Sequence, residues 1–290
     1  MPLLPPHQSA SEIETIFEKT IGDIGIPPCP AILQRVMTEA GKEEPDYREL
    51  ERIIGADVGL AGSLIKTANS PFFGLREPAR SVYSAITVLG IRSTIGAVAG
   101  IVLRNSFPHL QNMERFWDGS ARISRLSGWL ALQLDIRGLR ADDAYTFGLF
   151  RDCGIGVLLG RFKNYQSVLG VANQDSERSF TDIEDSEIET NHARIGAVLA
   201  QTWCLPEDLC KAIRHHHEAA ALSSADPRLT REARLLISAS QLGEHLLQRQ
   251  LGLSKTQEWD KLGAACLQIL EIHPQQLEDL YAGVAQFMHS

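Results

Sequence analysis

Apolar residues recur at spacings of three and four along almost all of the 290-residue chain, which is the periodicity of amphipathic helices. Alternation of β-branched residues is scarce, and no Asn-Gly or Asp-Gly dipeptide lies between alternating apolar runs, so no β-hairpin is indicated. Hydrophobic residues make up 44% of the chain, which is enough to form a well-buried core. The sequence therefore predicts an all-α protein.

Charge and cysteine usage limit the partners and the compartment. The formal net charge of −8 argues against a general nucleic-acid or anionic membrane surface. No apolar run approaches the roughly 18 residues of a membrane span, and the first ten residues lack the pattern of a secretory signal. The cysteines form no CxxC pair, so we expect free thiols and a cytoplasmic protein; they are Cys29, Cys153, Cys204, Cys210 and Cys266.

Local signals place the helices of the first half. A helix is predicted over 11–22, and four residues have the type and position of helix-start signals; these are Pro30, Asp46, Asp57 and Ser81. Asp46 and Glu49 together resemble a capping box, with Asp in place of Ser or Thr. Gly90 is predicted to close the helix that Ser81 opens, and Ser93 to start another.

The second half shows longer apolar repeats with one polar interruption. A helix is predicted from about Met113 to Leu134, and a second over 141–151 is followed by an Arg-Asp-Cys-Gly turn. The polar, acidic stretch 173–187 is predicted to be a loop. Further helices are predicted over 189–203, from Pro206 to 214–218, and, after a loop at 219–227, over 228–250, 256–271 and 274–288.

Three segments of the first half carry a family resemblance. They are Ile-Pro-Pro-Cys-Pro-Ala (26–31), the stretch 57–75 with Ala-Asn-Ser-Pro-Phe-Phe-Gly, and Ser-Ala-Ile-Thr-Val-Leu-Gly-Ile (84–91). They resemble the N-terminal lobe of the HDOD family, the HD-related output domains of bacterial signalling proteins, and the resemblance covers roughly 20–250. It implies a two-lobed, HD-domain-like helical bundle: an extension over 1–20, an N-terminal lobe over 21–110, and an HD-like lobe with C-terminal helices over 111–290.

The segment 144–156 resembles the signature of HD-domain metal-dependent phosphohydrolases, in which a His-Asp pair ends a helix. Asp152 is retained, but Arg151 stands where that family has histidine. Arginine stays protonated and cannot offer a lone pair to a metal. The resemblance places Gly119 at the family's first His and Ser240 at its last Asp. Three of four core ligands are thus replaced, which implies a degenerate metal site without catalytic residues.

Three histidines match the additional ligand positions of HD-GYP relatives: His192, His216 and His217. With Asp152, His192 and one of the adjacent pair could form a vestigial two-His, one-carboxylate site for Fe, Mn, Ni or Zn. Consecutive helical residues point about 100° apart, so both members of the pair can face one ion only if the helix end distorts. A structural interpretation is also open: imidazolium groups are favourable at a helix C-terminus, and Asp152 can simply pair with Arg151. On that interpretation no cofactor is expected.

Two neighbouring residues have further interpretations. The Arg151 guanidinium matches phosphate geometry, so it is a candidate anion or ligand pocket, for example for a nucleotide. Cys153 is expected to be a buried thiol rather than a nucleophile, because nothing in its surroundings lowers its pKa.

These observations favour a non-catalytic bacterial signal-transduction module of the HDOD type that acts through protein–protein contacts. Such modules are often associated with response regulators, and the expected partners are other signalling proteins, such as a kinase or a cyclic-dinucleotide regulator. Two alternatives remain: a metal-dependent phosphohydrolase that uses the reduced site, and a nucleotide-binding sensor without turnover.

Overall fold

The computed structural model describes residues 25–75, 77–107, 113–252 and 256–289. The predicted helix over 11–22 and the extension over 1–20 lie outside the described residues. Among the described residues there are α-helices and two short 3₁₀ turns but no β-strand, which confirms the all-α prediction. In chain order the helices are α1 (Ala31–Ala40), α2 (Tyr47–Gly55), α3 (Val58–Ala68), α4 (Val82–Asn105), α5 (Glu114–Leu134), α6 (Ala141–Phe150), α7 (Cys153–Arg161), α8 (Tyr165–Gln174), α9 (Phe180–Ile188), α10 (His192–Thr202), α11 (Glu207–His215), α12 (Arg231–Leu251), α13 (Glu258–Ile269) and α14 (Pro274–His289).

Three of the predicted helix starts of the first half, at Asp46, Asp57 and Ser81, are confirmed by side-chain hydrogen bonds. The side chains of Asp46 and Asp57 each accept a bond from a first-turn backbone N–H, at 2.8 and 2.9 Å. Ser81 forms a reciprocal capping box. At Asp46 the second half of the predicted box does not involve Glu49, because that carboxylate pairs with Arg52 instead. A charged partner one turn away competes successfully with a backbone N–H.

Helix α4 combines the two helices that were predicted on either side of Gly90. Gly90 has φ 73° and ψ 168°, which is non-helical, so the predicted break is real but does not separate the segments. In the part of the chain that the structure describes, α4 is the one helix that by length and apolar composition could cross a membrane. Half of the apolar segment of α4 that could span a membrane is buried inside the protein.

The prediction of a loop over 173–187 is wrong. Helix α9 occupies much of this stretch, and Ser179 caps its start by accepting a hydrogen bond from the N–H of Asp182 at 3.1 Å. Phe180 and Ile183 are buried on the inner side of α9. The acidic residues of the stretch 173–187 give it the composition of a loop, although its two core residues have helical spacing.

Helix α6 lies at the centre of the second half. It contacts α4, α5, α11 and α12, and its Phe147 and Phe150 side chains are fully buried. The predicted Arg-Asp-Cys-Gly turn is only two residues long, because α7 begins at Cys153 immediately after Arg151 and Asp152. The C-terminal end of the central helix therefore delivers these two side chains to the interior.

Candidate metal centre

The four residues predicted as vestigial metal ligands lie together. Asp152, His192, His216 and His217 each offer one donor atom, and these four atoms lie within 4.8 Å of one another. All four residues sit at helix ends: Asp152 precedes α7, His192 is the first residue of α10, and the histidine pair follows α11. Positions at helix ends are fixed by the packing of several helices at once, so the group is held by the whole second half of the protein.

Both members of the histidine pair face the same point. Helix α11 ends at His215, and His216 has φ −71° and ψ −12°, at the edge of the helical region. His217 follows in a turn. The helix thus ends just before the histidine pair, which is the distortion that the sequence required. Because His216 and His217 lie outside the regular helix, their side chains need not point about 100° apart.

The spacing of the donor atoms matches a tetrahedral metal site. The Nε2 atom of His192 lies 3.1 Å from that of His217 and 3.3 Å from that of His216. Oδ1 of Asp152 lies 3.3 Å from Nε2 of His216 and 3.6 Å from Nε2 of His192. Ligands at 2.0–2.1 Å from a tetrahedral ion are about 3.3 Å apart. These four donor-to-donor distances are therefore compatible with one dication held by the cluster.

Each imidazole is held through its other ring nitrogen. Nδ1 of His192 lies 2.7 Å from the buried Glu184 carboxylate, and Nδ1 of His217 contacts the Glu258 carboxylate. Nδ1 of His216 lies 2.7 Å from the backbone carbonyl of Ile213. With Nδ1 donating to these oxygens, the Nε2 lone pairs point toward the shared centre. This is the arrangement in which metal-binding histidines are oriented and made more basic.

The surrounding charges shift the pKa values of His192 and His216 in opposite directions. Burial opposes charge on His192, but Glu184 and Asp152 raise its pKa to about 10. Burial and the neighbouring His217 lower the pKa of His216 to about 3. Burial likewise opposes ionisation of Asp152, yet Arg151 and the two histidine hydrogen bonds lower its pKa well below the usual range. The cluster thus combines an ionised carboxylate with imidazoles that cannot all carry protons.

Arg151 lies beside this cluster and is 3% exposed. Its Nε donates to Oδ2 of Asp152 at 3.0 Å, and a terminal nitrogen donates to Glu244 at 2.6 Å. The other terminal nitrogen lies 3.4 Å from Oγ of Ser240. Although burial lowers the pKa of a guanidinium, the two carboxylates here raise it, so the charge is permanent. Asp152 consequently faces the histidines with one oxygen and a fixed cation with the other.

The residues predicted at the lost ligand positions are also in this region. Gly119 lines the same cavity as Arg151 and Asp152, and Ser240 contacts Arg151 directly. Cys153 is fully buried, its thiol donates to the carbonyl of Gly196 at 3.7 Å, and burial raises its pKa. This confirms the interpretation of Cys153 as an inert thiol.

A cavity of about 450 Å³ opens in front of the cluster. Asp152, His192 and His217 form part of its wall, together with Arg151 and the stacked ring of Phe180. The predicted anion pocket at Arg151 is thus part of a real cavity. The guanidinium is, however, already paired with two carboxylates there, and whether the cavity takes an anion stays a prediction.

Sequence reasoning missed the carboxylates that support the ligands: Glu184, Glu244 and Glu258. Tyr165 was also missed; it donates its O–H to the buried Glu184. A weak signal existed, because Glu258 lies at the start of a predicted helix and Glu184 is eight residues before His192. Acidic residues are common on helix surfaces, however, and only packing distinguishes these from solvated ones.

An all-helical bundle with a His and Asp cluster at the end of its central helix describes the HD-like class of proteins. The sequence matches the model of the HDOD domain over residues 26–219. Since this is more than half of the chain, the protein belongs to the HDOD family.

Relatives support the fold. A structure of a candidate phosphohydrolase from Shewanella amazonensis SB2B is 17% identical, with a TM-score of 0.63, and the match covers 91% of this chain and 97% of that one. A candidate signal transduction protein from Marinobacter aquaeolei VT8 is 23% identical, with a TM-score of 0.59, over 94% and 61% of the two chains. An uncharacterised protein of Treponema pallidum (strain Nichols) is 26% identical over 217 residues, which are 71% of this chain but only 41% of that relative.

Proposed function

We propose that this protein is a non-catalytic HDOD signalling module whose HD-like half is organised by one divalent metal ion. Asp152, His192, His216 and His217 would hold the ion, and Zn²⁺ suits a tetrahedral set of three imidazoles and one carboxylate best. When bound, the metal supplies a fixed link between the ends of α6, α10 and α11.

The observation that carries this proposal is the number of protein donors at tetrahedral spacing. Catalytic zinc sites keep one position open for water, whereas structural sites are closed by four protein ligands. Here the four donors lie within 4.8 Å of one another. If all four bind a tetrahedral ion, no position on that ion would remain for a metal-activated water.

Arg151 adds a second argument against hydrolysis. In two-metal hydrolases a second cation lies about 3.5–4 Å from the first and shares ligands with it. Here Oδ2 of Asp152, the oxygen not directed at the histidines, already binds the guanidinium at 3.0 Å. A guanidinium supplies positive charge, but it cannot coordinate a water molecule and activate it as a nucleophile. Arg151 thus supplies the positive charge of a second metal ion but not its ability to bind and activate water.

In this proposal the protein transmits its signal through contacts with other signalling proteins, such as a kinase or a cyclic-dinucleotide regulator. The five cysteines are free, as in proteins of a reducing cytoplasm. The chain spans less than half of the length of its Treponema relative. The signalling partners of the whole protein are therefore proposed rather than shown.

Metal content and hydrolytic activity test the proposal together. Protein purified without chelators is expected to contain one equivalent of metal per chain by inductively coupled plasma mass spectrometry, with zinc dominant. His217→Gln should bind the metal much more weakly and lose it on dialysis against a chelator that leaves the wild-type metal in place, because one of the four ligands is removed. Neither form should hydrolyse a generic phosphodiester such as bis(p-nitrophenyl) phosphate when Mn²⁺ or Zn²⁺ is added.

His215→Gln is the matched control, since His215 is the neighbouring histidine but pairs with Glu218 at 2.9 Å outside the cluster. It should retain the full metal content. Purification of wild-type protein without metal, after growth and dialysis with zinc, would contradict the metal site. Turnover that disappears in His217→Gln would contradict the non-catalytic role while leaving the metal site intact.

A further inference from the structure

A second cavity, of about 490 Å³, lies between the two halves of the fold. Its walls come from α3 and α4 on one side and from α5 and α6 on the other. It shares no lining residue with the cavity at the metal centre. Its volume is in the range of small-molecule sites, which often lie between structural units.

The charge of this cavity is opposite to that of the protein. Lys66, Arg104 and Arg125 line it, from three different helices, in a chain with a net charge of −8. Asp118 is the one carboxylate in the lining, and it lies 4.0 Å from Arg104. Among the described residues neither Lys66 nor Arg125 forms an ion pair. Three cations that face a single carboxylate leave a local excess of positive charge.

Polar groups without partners accompany these charges. The Oγ atom of Ser70 is buried in the cavity lining and makes no hydrogen bond within the described part of the chain. A buried hydroxyl without a partner is costly, and rotation of the Ser70 side chain toward a ligand oxygen would relieve that cost. Arg125 donates Nε to the carbonyl of Ala121 at 3.2 Å, which orients its guanidinium while leaving the terminal nitrogens free to donate elsewhere.

We propose that this inter-lobe cavity binds a small phosphorylated molecule. Phosphate oxygens accept from both arginine and lysine, and a phosphate monoester matches the excess of positive charge. The aromatic walls of Trp117 and Tyr145 suit the organic part of such a ligand. A ligand bound by Lys66 and Arg104 on one side and Arg125 on the other would join the two halves, so the cavity is an input site separate from the metal centre.

The probes for the test are inorganic phosphate, AMP and adenosine, compared at equal ionic strength by thermal shift and calorimetry. AMP and phosphate should stabilise the protein, whereas adenosine, which lacks the phosphate, should not. The triple variant Lys66→Gln/Arg104→Gln/Arg125→Gln should bind AMP at least about tenfold more weakly, because charge-assisted hydrogen bonds are lost. Lys66→Glu is a second variant, on an exposed side chain, and should also weaken AMP binding.

The matched control is Arg35→Gln/Arg161→Gln/Lys163→Gln, which removes three exposed cations that do not line the cavity. It should keep the wild-type affinity. Absence of stabilisation by both phosphate and AMP at millimolar concentration would overturn the proposal. So would an equal loss in the control, or AMP binding that survives the cavity variants but disappears in His217→Gln, since the anion would then bind at the metal centre.

Discussion

Each imidazole of the metal centre is oriented by a different acceptor, and the acceptor of His192 is the most enclosed. Glu184 is fully buried and also accepts from the backbone N–H of His192 at 3.3 Å and from Tyr165. An anion in this position makes the imidazole a stronger ligand and fixes its tautomer. If a metal binds, Glu184 should therefore influence its affinity without contacting it.

Glu184→Gln tests this role with little change in shape. The amide retains an oxygen acceptor but removes the negative charge, so metal affinity should fall about 10–100-fold. Competition with a chromophoric chelator measures the change. Asp185→Asn is the control, because Asp185 binds Asn191 rather than a ligand histidine. Equal affinities of Glu184→Gln and wild type would show that the carboxylate has no influence on the site.

Arg151 has the opposite role, since it prevents rather than supports metal binding at its own position. Arg151→His would supply one neutral ligand next to Asp152, but Gly119 and Ser240 still offer none. We expect one metal per chain and no phosphodiesterase activity, measured by mass spectrometry of metals and by nitrophenol release. A second equivalent of metal together with turnover in this single variant would show that the replacement at residue 151 alone disabled an enzyme.

The ligands themselves could be found from the sequence, because resemblance to a family assigns positions to residue types. Asp152, His192, His216 and His217 were all predicted, and the structure brings them together. Their supporting carboxylates could not be found, since Glu258 is 41 positions from the histidine that it orients. Contacts between distant segments depend on packing, which a single sequence does not display.

At the level of elements, the centre depends on how closely α7 approaches α10. Gly154 near the start of α7 faces the backbone of α10, and a Cβ atom placed there would lie 2.1 Å from the carbonyl oxygen of His192. It would also lie 2.7 Å from the backbone nitrogen of Gly196. Only glycine permits this contact, which sets the distance between Asp152 and His192.

Gly154→Ala should therefore separate α7 from α10. Because the obstacle is backbone, we expect a loss of about 1–3 kcal/mol or more in unfolding free energy together with reduced metal content. Urea unfolding and metal analysis measure the two effects. Gly170→Ala, at an exposed position of α8 where a Cβ meets nothing within 4 Å, should instead be neutral or stabilising by up to about 1 kcal/mol. Similar losses in both variants would disprove the close-contact argument.

Helix starts were more predictable than whole helices. Asp46, Asp57 and Ser81 act through hydrogen bonds within one turn, so a short window of sequence contains the full signal. Helix α9 was missed because its stability comes from burying Phe180 and Ile183 against the rest of the bundle. Tertiary packing can stabilise a helix whose local composition favours a loop.

At the scale of the molecule, a bound metal should make stability depend on free metal. An ion that binds only the folded state at 100 to 1,000 times its Kd adds about 2.7–4.1 kcal/mol. For a chain of 290 residues that corresponds to a Tm change of about 4–7 °C. Excess chelator should therefore lower the Tm by about this amount, and added zinc should restore it.

His217→Gln is the reference for this measurement, because it lacks the site. Its Tm should already be low and should not respond to chelator, whereas His215→Gln should behave as wild type. A wild-type Tm that is insensitive to chelator, measured on protein shown to contain metal, would mean that the ion contributes nothing to the folded state.

The division of the molecule into an N-terminal lobe and an HD-like lobe stays a prediction. The expected boundary near 110–111 lies outside the described residues, so the limits 21–110 and 111–290 stay predictions. The two halves are in close contact: a Cβ at Gly100 of α4 would lie 2.6 Å from the side chain of Leu149 on α6. No local sequence pattern predicts such a contact, since it depends on two helices that are far apart in the sequence.

The positions of the ligands along the chain have a consequence for unfolding. Asp152 and His216 are 64 residues apart, and His192 and His216 are 24 apart, in a protein whose cysteines are all free. A bound ion would thus act as a cross-link that closes two long loops, the role that a disulfide has in secreted proteins. The backbone amides at the start of α10 should then exchange with solvent only when the metal leaves or the whole HD-like half opens.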